Sequence, residues 1–158
     1  LQTFFKALAG RLGSSDVDVI FVTQGKAILD SYPQNWTVVD RVNQVEALAR
    51  SSVFVTHGGA NSFHEAVLAR VPMVAIPFFG DQPLVAQQIE RLGLGFDVVQ
   101  DTGIDTRKSK DFLGLDLDER VEVAVRSIIS SYDRYQESFD NLSLEAQDIL
   151  GLLKNRLK

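Results

Sequence analysis

The chain contains no cysteine and only two histidines, His57 and His64, among its 158 residues. The lack of cysteine excludes a disulfide framework and a thiolate metal site, and two histidines are too few for a histidine-rich metal site. A chain without thiols fits a reducing compartment, so we expect a cytoplasmic protein. We predict that it needs no metal ion or other cofactor.

Long apolar runs and a surplus of basic residues are also lacking. The longest uncharged apolar run, residues 71–79, is too short to span a bilayer and contains two prolines. The net charge is -5, whereas non-specific nucleic-acid binding needs an excess of Lys and Arg. We therefore predict neither a transmembrane segment nor a nucleic-acid partner, but one globular domain of ordinary size.

Short β-branched segments alternate with helical patterns along the chain. This alternation predicts one doubly wound α/β domain with a Rossmann-like parallel sheet, followed by two C-terminal helices. Residues 100–116 are polar and predict a surface loop. The predicted strands are residues 17–23, 36–40, 53–56, 71–77 and 96–99. The predicted helices are residues 1–12, 26–31 (a short helix or a turn), 45–50, 61–70, 82–92, 117–131 and 133–153.

The junction at residues 53–66, VFVTHGGANSFHEA, is the most informative segment. Its two glycines allow a sharp turn, and the helix that follows begins with amides that have no intrahelical partner. These amides and the positive end of the helix dipole suit a diphosphate, and His57 can add a donor. Glu65, one turn into the helix, can accept from ribose hydroxyls. The simpler alternative is a packing turn with Asn61 and Ser62 as an ordinary cap.

Two further polar segments follow predicted strands. Asp81 and Gln82, in FFGDQP, combine a carboxylate and a carboxamide, which suits hydroxyl recognition; the alternative is a helix cap. In DRVNQ, residues 40–44, Gln44 can read a base edge and Arg41 offers a planar guanidinium for stacking. Because ligands of doubly wound sheets bind at the carboxyl ends of the strands, these side chains are expected to share one crevice.

Together these segments resemble the sequence box of the UDP-glycosyltransferase superfamily, whose members have the two-domain GT-B fold. The matching stretches are THGGANSxxEA at residues 56–66, VPMVAIPxxxDQ at residues 71–82 and RLGLG at residues 91–95, preceded by Val42 and Gln44. The pair Gly58-Gly59 is closer to bacterial and animal members than to plant members, which usually have Cys-Gly there.

The resemblance implies a role for each matching residue. Val42 and Gln44 correspond to residues that hold the uracil base, and Glu65 corresponds to the glutamate that binds the ribose. The sugar hydroxyls are read by the pair that matches Asp81 and Gln82, and Gln82 suggests UDP-glucose as the donor. The diphosphate cradle corresponds to His57, Gly58, Gly59, Asn61 and Ser62.

The chain departs from the family pattern before the junction. Arg41 stands where a tryptophan usually stacks on the base, and Asn43 stands where proline is usual. A guanidinium can stack on a base with less area, but Asp40 can also hold Arg41 in a surface ion pair, which would remove the stack.

Family members also have an N-terminal domain, and the C-terminal domain has a first strand that is central in the order 3-2-1-4-5-6. Neither segment is recognisable here. Leu1 falls directly into a helical pattern without an initiator Met. We therefore expect residues 1–158 to be a single nucleotide-sugar-binding domain from a longer two-domain enzyme.

These features predict the donor-binding domain of an inverting glycosyltransferase that moves a hexosyl group from a UDP-sugar to an acceptor hydroxyl. His57 stabilises the leaving diphosphate, and no catalytic residue is expected in this chain, because the base lies in the N-terminal domain. That domain is also expected to hold most of the small-molecule acceptor. Two alternatives stay open, namely a non-catalytic UDP-sugar-binding subunit of a split transferase and a GT-B UDP-sugar 2-epimerase.

Overall fold

The computed structural model describes residues 2–14, 16–99 and 116–156, with residues 145–156 described by their backbone alone. Strands and helices alternate as the sequence predicts, except that residues 26–31 form no helix and follow a tight turn at Gln24 and Gly25. The predicted loop at residues 100–116 lies outside the described residues, apart from Asp116. The elements are α1 (Gln2–Leu12), β1 (Val19–Val22), β2 (Trp36–Val39), α2 (Gln44–Leu48), β3 (Phe54–Thr56), α3 (Ala60–Ala69), β4 (Met73–Ala75), α4 (Gln82–Arg91), β5 (Gly95–Asp97), α5 (Leu117–Ser130) and α6 (Tyr132–Arg156).

The described strands form two parallel sheets that share no hydrogen-bonded pair. One sheet has the order β1-β2 and the other β3-β4-β5. In the order 3-2-1-4-5-6, these strands occupy positions 2 and 3 on one side and 4, 5 and 6 on the other. The described residues place nothing at position 1, between β1 and β3. Among them, β1 and β3 each have an unpaired edge and carry exposed apolar side chains, including Ile20 and Val55.

The strand β4 lies at the centre of the three-stranded sheet and is buried on both faces. Because side chains alternate along a strand, Val74 packs into one apolar cluster, while Met73 and Ala75 pack into the other. All three are fully buried, as expected for a central parallel strand covered by helices on both sides. This burial fixes the register of β4 with its two neighbours.

Helices α1 and α5 pack together and bridge the two sheets. Phe4, Leu8 and Leu12 on one face of α1 join a cluster that includes Trp36 from β2 and Val74 from β4. The burial of these α1 residues confirms the helical spacing seen in the sequence. None of the helices in the described part of the chain is both long and apolar enough to cross a membrane.

An ion-pair network on the outer side of the same helix pair surrounds Arg11. Its guanidinium lies 2.6 Å from Asp118, 3.1 Å from Glu119 and 3.2 Å from Glu122. Hydrogen bonds to Asp118 and Glu122 raise the pKa of Arg11, and a hydrogen bond from Arg126 is the main reason why the pKa of Glu122 is lowered. These ion pairs therefore connect the acidic residues at the start of α5 to Arg11 on α1.

The glycines of the RLGLG segment have a structural role. Gly93 has a φ of +67°, and Gly95 has a φ of +154°, both in the region that side chains disfavour. A Cβ at Gly95 would collide with the backbone of Met73, its register partner on β4. The absence of a side chain thus allows β5 to pair with β4.

We expect Gly95→Ala to destabilise the protein by roughly 3 kcal/mol, because it combines a disfavoured φ with a backbone clash. Gly10 is the matched control, since it lies inside α1 with nothing within 4 Å of the added methyl group. Gly10→Ala should stabilise the helix by about 0.5–1 kcal/mol. Urea unfolding followed by circular dichroism measures both changes. Equal stability of the two variants would contradict the structural need for glycine at position 95.

Candidate functional site

A tight turn leads from β3 into α3. The Oγ1 of Thr56 accepts a hydrogen bond from the amide of Gly58 at 3.2 Å, and Gly58 has a φ of +78°. This hydroxyl-supported turn reverses the chain within two residues and leaves His57 exposed at its tip. Thr56 is not among the site residues predicted from the sequence, although a threonine two residues before a glycine is a recognisable turn signal.

The N-terminus of α3 is open. Gly59 occupies the N-cap position without a side-chain cap, and the first turn contains no acidic residue. The first hydrogen bond of the helix runs from Phe63 N to Gly59 O at 3.0 Å, so the amides of residues 60–62 have no partner among the described residues. Asn61 and Ser62 lie inside the helix and do not cap it, so the cap expected in the simpler alternative is not formed, whereas a packing turn at the two glycines stays open. The helix dipole therefore leaves an uncompensated partial positive charge here.

The imidazole of His57 lies across this open end. Its Nε2 is only 2.7 Å from the place where a Cβ of residue 59 would stand, so glycine at that position makes room for the ring. A shallow open depression of about 260 Å³ lies at the same place. Its lining residues are His57, Gly59, Ala60, Asn61 and Ser62.

The start of α4 differs from that of α3 because most of its amides already have partners. Gln82 N donates to Phe79 O at 3.3 Å, and Leu84 N donates to Asp81 O at 3.0 Å. Pro83 has no N–H to offer. Two helices thus begin after neighbouring strands, but only α3 offers a set of free amides to an anion.

The side chains of Asp81 and Gln82 have separate environments. Asp81 is exposed and, although it holds the N-cap position, makes no side-chain cap hydrogen bond. Gln82 is 6% exposed, and its Oε1 accepts from the amides of Phe78 at 2.8 Å and Phe79 at 3.2 Å. Gln82 therefore braces the loop with its oxygen and keeps only its Nε2 protons for another partner. The role of the pair in sugar binding stays a prediction.

A second polar contact joins α2 to α3. Gln44 Nε2 donates to Glu65 Oε2 at 2.7 Å and to Ser62 Oγ at 3.3 Å. All three side chains are half-buried. The structure thus brings together three residues that the sequence predicts for the site, but the amide of Gln44 faces a carboxylate on α3. Its predicted contact with a base stays untested.

The segment before α2 leaves Arg41 free. Asp40 accepts a hydrogen bond from Thr23 Oγ1 at 3.0 Å, and no ion pair forms between Asp40 and Arg41. Arg41 and Val42 are both exposed, and Arg41 has no hydrogen-bond or ion-pair partner among the described residues. Asn43 caps α2, because its Oδ1 accepts from Glu46 N at 3.5 Å. This cap gives a local reason for asparagine where the family usually has proline.

The two loops at this edge of the sheet are in contact. A Cβ on Gly58 would lie 3.5 Å from Gln82 O, so the turn after β3 abuts the start of α4. His64 is exposed and does not line the depression, and its ring lies 5.6 Å from that of Phe63. Across residues 2–14, 16–99 and 116–156, no three His, Asp or Glu side chains come together as a metal site. The candidate site therefore consists of the open end of α3, His57, Glu65 and the exposed Asp81.

Gly59→Ala is expected to displace the imidazole of His57 without disturbing the fold. The φ of Gly59 is -66°, which alanine adopts freely, so the only conflict is between the new methyl group and the ring. The imidazole resonances in a ¹H–¹⁵N NMR spectrum should shift strongly, while the midpoint of thermal unfolding changes by only a few degrees. Imidazole resonances identical to those of the parent protein would contradict this geometry.

Comparison with known proteins places this arrangement in a family. A family model described as "UDP-glucoronosyl and UDP-glucosyl transferase" matches residues 5–111, which is more than half of the chain. The NDP-glycosyltransferase YjiC of Bacillus licheniformis is 44% identical over 66 residues, covering 42% of this chain and 17% of the relative. The uncharacterized UDP-glucosyltransferase YdhE of Bacillus subtilis is 41% identical over 103 residues, covering 63% and 26%. Mouse UDP-glucuronosyltransferase 3A1 is 44% identical over 85 residues, covering 52% and 16%.

Solved structures agree with the fold. The glycosyltransferase of kitacinnamycin superposes with a TM-score of 0.71 at 25% identity, covering 92% of this chain and 35% of that protein. Os79 from O. sativa, solved in complex with UDP, superposes with a TM-score of 0.72 at 24% identity, covering 89% and 32%. The described part of the chain thus has the fold of the C-terminal portion of GT-B glycosyltransferases.

The chain spans about a quarter or less of the length of the three relatives named above. Because the family model covers most of its length, the chain belongs to the UDP-glucuronosyl and UDP-glucosyl transferase family.

Proposed function

We propose that this chain is the donor-binding domain of an inverting glycosyltransferase that transfers a hexosyl group from a UDP-sugar to an acceptor hydroxyl. The observation that carries the proposal is the open N-terminus of α3, with the imidazole of His57 beside it and Glu65 one turn further along. These groups suit the diphosphate and the ribose of one nucleotide. The membership of the family supports the same assignment.

The chemistry at the open helix end is stabilisation of a leaving group. When the acceptor oxygen attacks the anomeric carbon, the bond from that carbon to the β-phosphate oxygen breaks, and negative charge develops on the diphosphate. The free amides of α3, its dipole and His57 are donors already in place for that charge. The acceptor's proton passes to a base outside this chain, in the domain that also holds most of the small-molecule acceptor.

The rest of the donor is assigned to side chains at the same edge. Glu65 accepts from the ribose hydroxyls, and the exposed Asp81 accepts from hydroxyls of the sugar, with Nε2 of Gln82 as a donor. Glucose is the proposed sugar, in keeping with the glucosyltransferase name of the relative YdhE. The helix end and His57 supply the positive charge that a cation supplies in other transferases, so we propose that donor binding is insensitive to EDTA.

Glu65→Ala should weaken binding of UDP at least tenfold in the full polypeptide that carries this chain. The variant loses a charged acceptor for the ribose hydroxyls, and each such hydrogen bond contributes about 1.5–3 kcal/mol. The matched control is Glu137→Ala, because Glu137 is exposed on α6 and makes no hydrogen bond or ion pair among the described residues. Isothermal titration calorimetry measures both affinities.

The same titration, extended to UDP-glucose and dTDP-glucose, tests the proposed function as a whole. If Glu65→Ala leaves the affinity for UDP unchanged, Glu65 does not bind the ribose. If the parent protein binds none of the three nucleotides, the proposed function is wrong. Incubation with UDP-sugar and acceptor then separates the alternatives by product. A glycosylated acceptor indicates transfer, an epimerised sugar indicates a 2-epimerase, and an unchanged donor indicates a binding subunit.

Arg41 is expected to stack on the uracil base, because its guanidinium is exposed and unpaired. Stacking of a guanidinium on an aromatic ring contributes about 0.5–2 kcal/mol, so Arg41→Ala should weaken UDP binding by about twofold to thirtyfold. Arg41→Trp should restore or exceed the parent affinity through a larger stacking area. Arg41→Lys separates charge from stacking, and a lysine variant that binds as tightly as the parent would contradict the stack.

A further inference from the structure

The amide of Gln44 is committed to α3 in the structure. One donor contact of Nε2 is to Glu65 Oε2 at 2.7 Å, and a longer one is to Ser62 Oγ at 3.3 Å. A carboxamide nitrogen has two protons, so these two acceptors use both of them. Because residues three apart on a helix lie on one face, Ser62 and Glu65 present their oxygens to Gln44 together.

The backbone that carries Gln44 is itself fixed. Gln44 is the first residue of α2, and the side chain of Asn43 caps that helix through Glu46 N. The other end of α2 is anchored by Leu48, which is 2% exposed and packs into the apolar cluster of α3 and α4. The amide therefore reaches Glu65 from a rigid support.

The hydrogen bond from Gln44 makes the two carboxylate oxygens of Glu65 differ in their environment. Oε2 is held by Gln44, whereas Oε1 makes no hydrogen bond among the described residues. A glutamate without such a contact samples several rotamers, and a ligand must stop that motion when it binds. A glutamate held by one oxygen presents the other in a constant direction.

We propose that Gln44 is a positioning residue, which fixes the carboxylate of Glu65 for the diol of the donor ribose and does not read the base. This inference rests on the proposed function and refines its ribose site. To donate to a uracil carbonyl, Gln44 would have to give up one of its contacts with α3, including the short one to a charged acceptor. Gln44 therefore acts on the sugar of the nucleoside, through Glu65, and not on the base.

The decisive probe is a nucleotide that lacks the diol. Gln44→Met keeps the length of the side chain and removes both donors, so UDP should bind about fivefold to tenfold more weakly to the full polypeptide. Binding of 2′,3′-dideoxyuridine diphosphate should change less than twofold, because it has no hydroxyl for Glu65. The ratio of UDP to CDP affinity should stay constant. Gln87→Met is the matched control, since Gln87 is exposed on α4 and makes no hydrogen bond among the described residues, and it should leave all these affinities unchanged.

A coupling experiment separates action through Glu65 from direct contact. In the Glu65→Ala background, Gln44→Met should cause no further loss of UDP affinity, because the group that it positions is gone. Gln44→Glu adds a pH test, since its carboxyl can donate to Glu65 only when protonated. The preference of that variant for UDP over the dideoxy nucleotide should recover as the pH falls from 7 to 5, while the preference of the parent changes little.

Three results would overturn the positioning role. Equal weakening of both nucleotides, an undiminished loss in the Glu65→Ala background, or a changed ratio of UDP to CDP affinity would assign Gln44 to the base or to the fold alone. In each of these cases the proposed function still holds if the parent protein binds UDP and prefers it to the dideoxy nucleotide. If the parent protein does not bind UDP, both the proposed function and the positioning role are wrong.

Discussion

The parallel pairing of β3 with β4 brings the open end of α3, His57 and Asp81 to one edge of the sheet. The two strands pair from Phe54 opposite Met73 to Thr56 opposite Ala75, so both end at the same edge of the sheet. The turn at His57 and the loop before α4 therefore meet, as the closeness of Gly58 to Gln82 O shows. The burial of β4 on both faces holds this register, because a slip by one residue would move Met73 and Val74 to the wrong sides.

Two helices begin at that edge, and their local sequences give them different electrostatic properties. The first turn of α4 satisfies its own amides or, at Pro83, lacks one, and Gln82 neutralises the loop amides that precede it. The first turn of α3 has a glycine cap and no acid, so its amides remain open. A helix dipole is present in both cases, but only unsatisfied N–H groups can direct it at a ligand. The proposed anion subsite thus belongs to α3, and α4 contributes only side chains to the proposed donor site.

The sequence predicts the order of the elements well, because each strand is a short β-branched run and each helix has an apolar stripe. It also places His57, Glu65 and Asp81 at strand ends or on the following helix. Sequence alone does not predict which partner a polar side chain selects. Gln82 bends back onto the amides of its own loop, and Asp40 accepts a hydrogen bond from Thr23, which directly follows the neighbouring strand β1. Such choices depend on loop geometry and on side chains distant in the chain, about which local patterns carry no information.

The division of the described strands into two sheets gives the contact between Gln44 and Glu65 a wider significance. Arg41, Val42 and Gln44 follow β2 of one sheet, whereas the open helix end follows β3 of the other. No strand pairing among the described residues connects these two sides, so their separation depends on apolar packing, both around α1 and α5 and at Leu48 of α2 against α3 and α4. At the site itself, the hydrogen bonds from Gln44 to Ser62 and Glu65 join them directly. A nucleotide that spans the base side and the phosphate side needs a constant distance between the two. The amide of Gln44, which we propose orients the ribose acceptor, is also a polar contact that helps to maintain this distance.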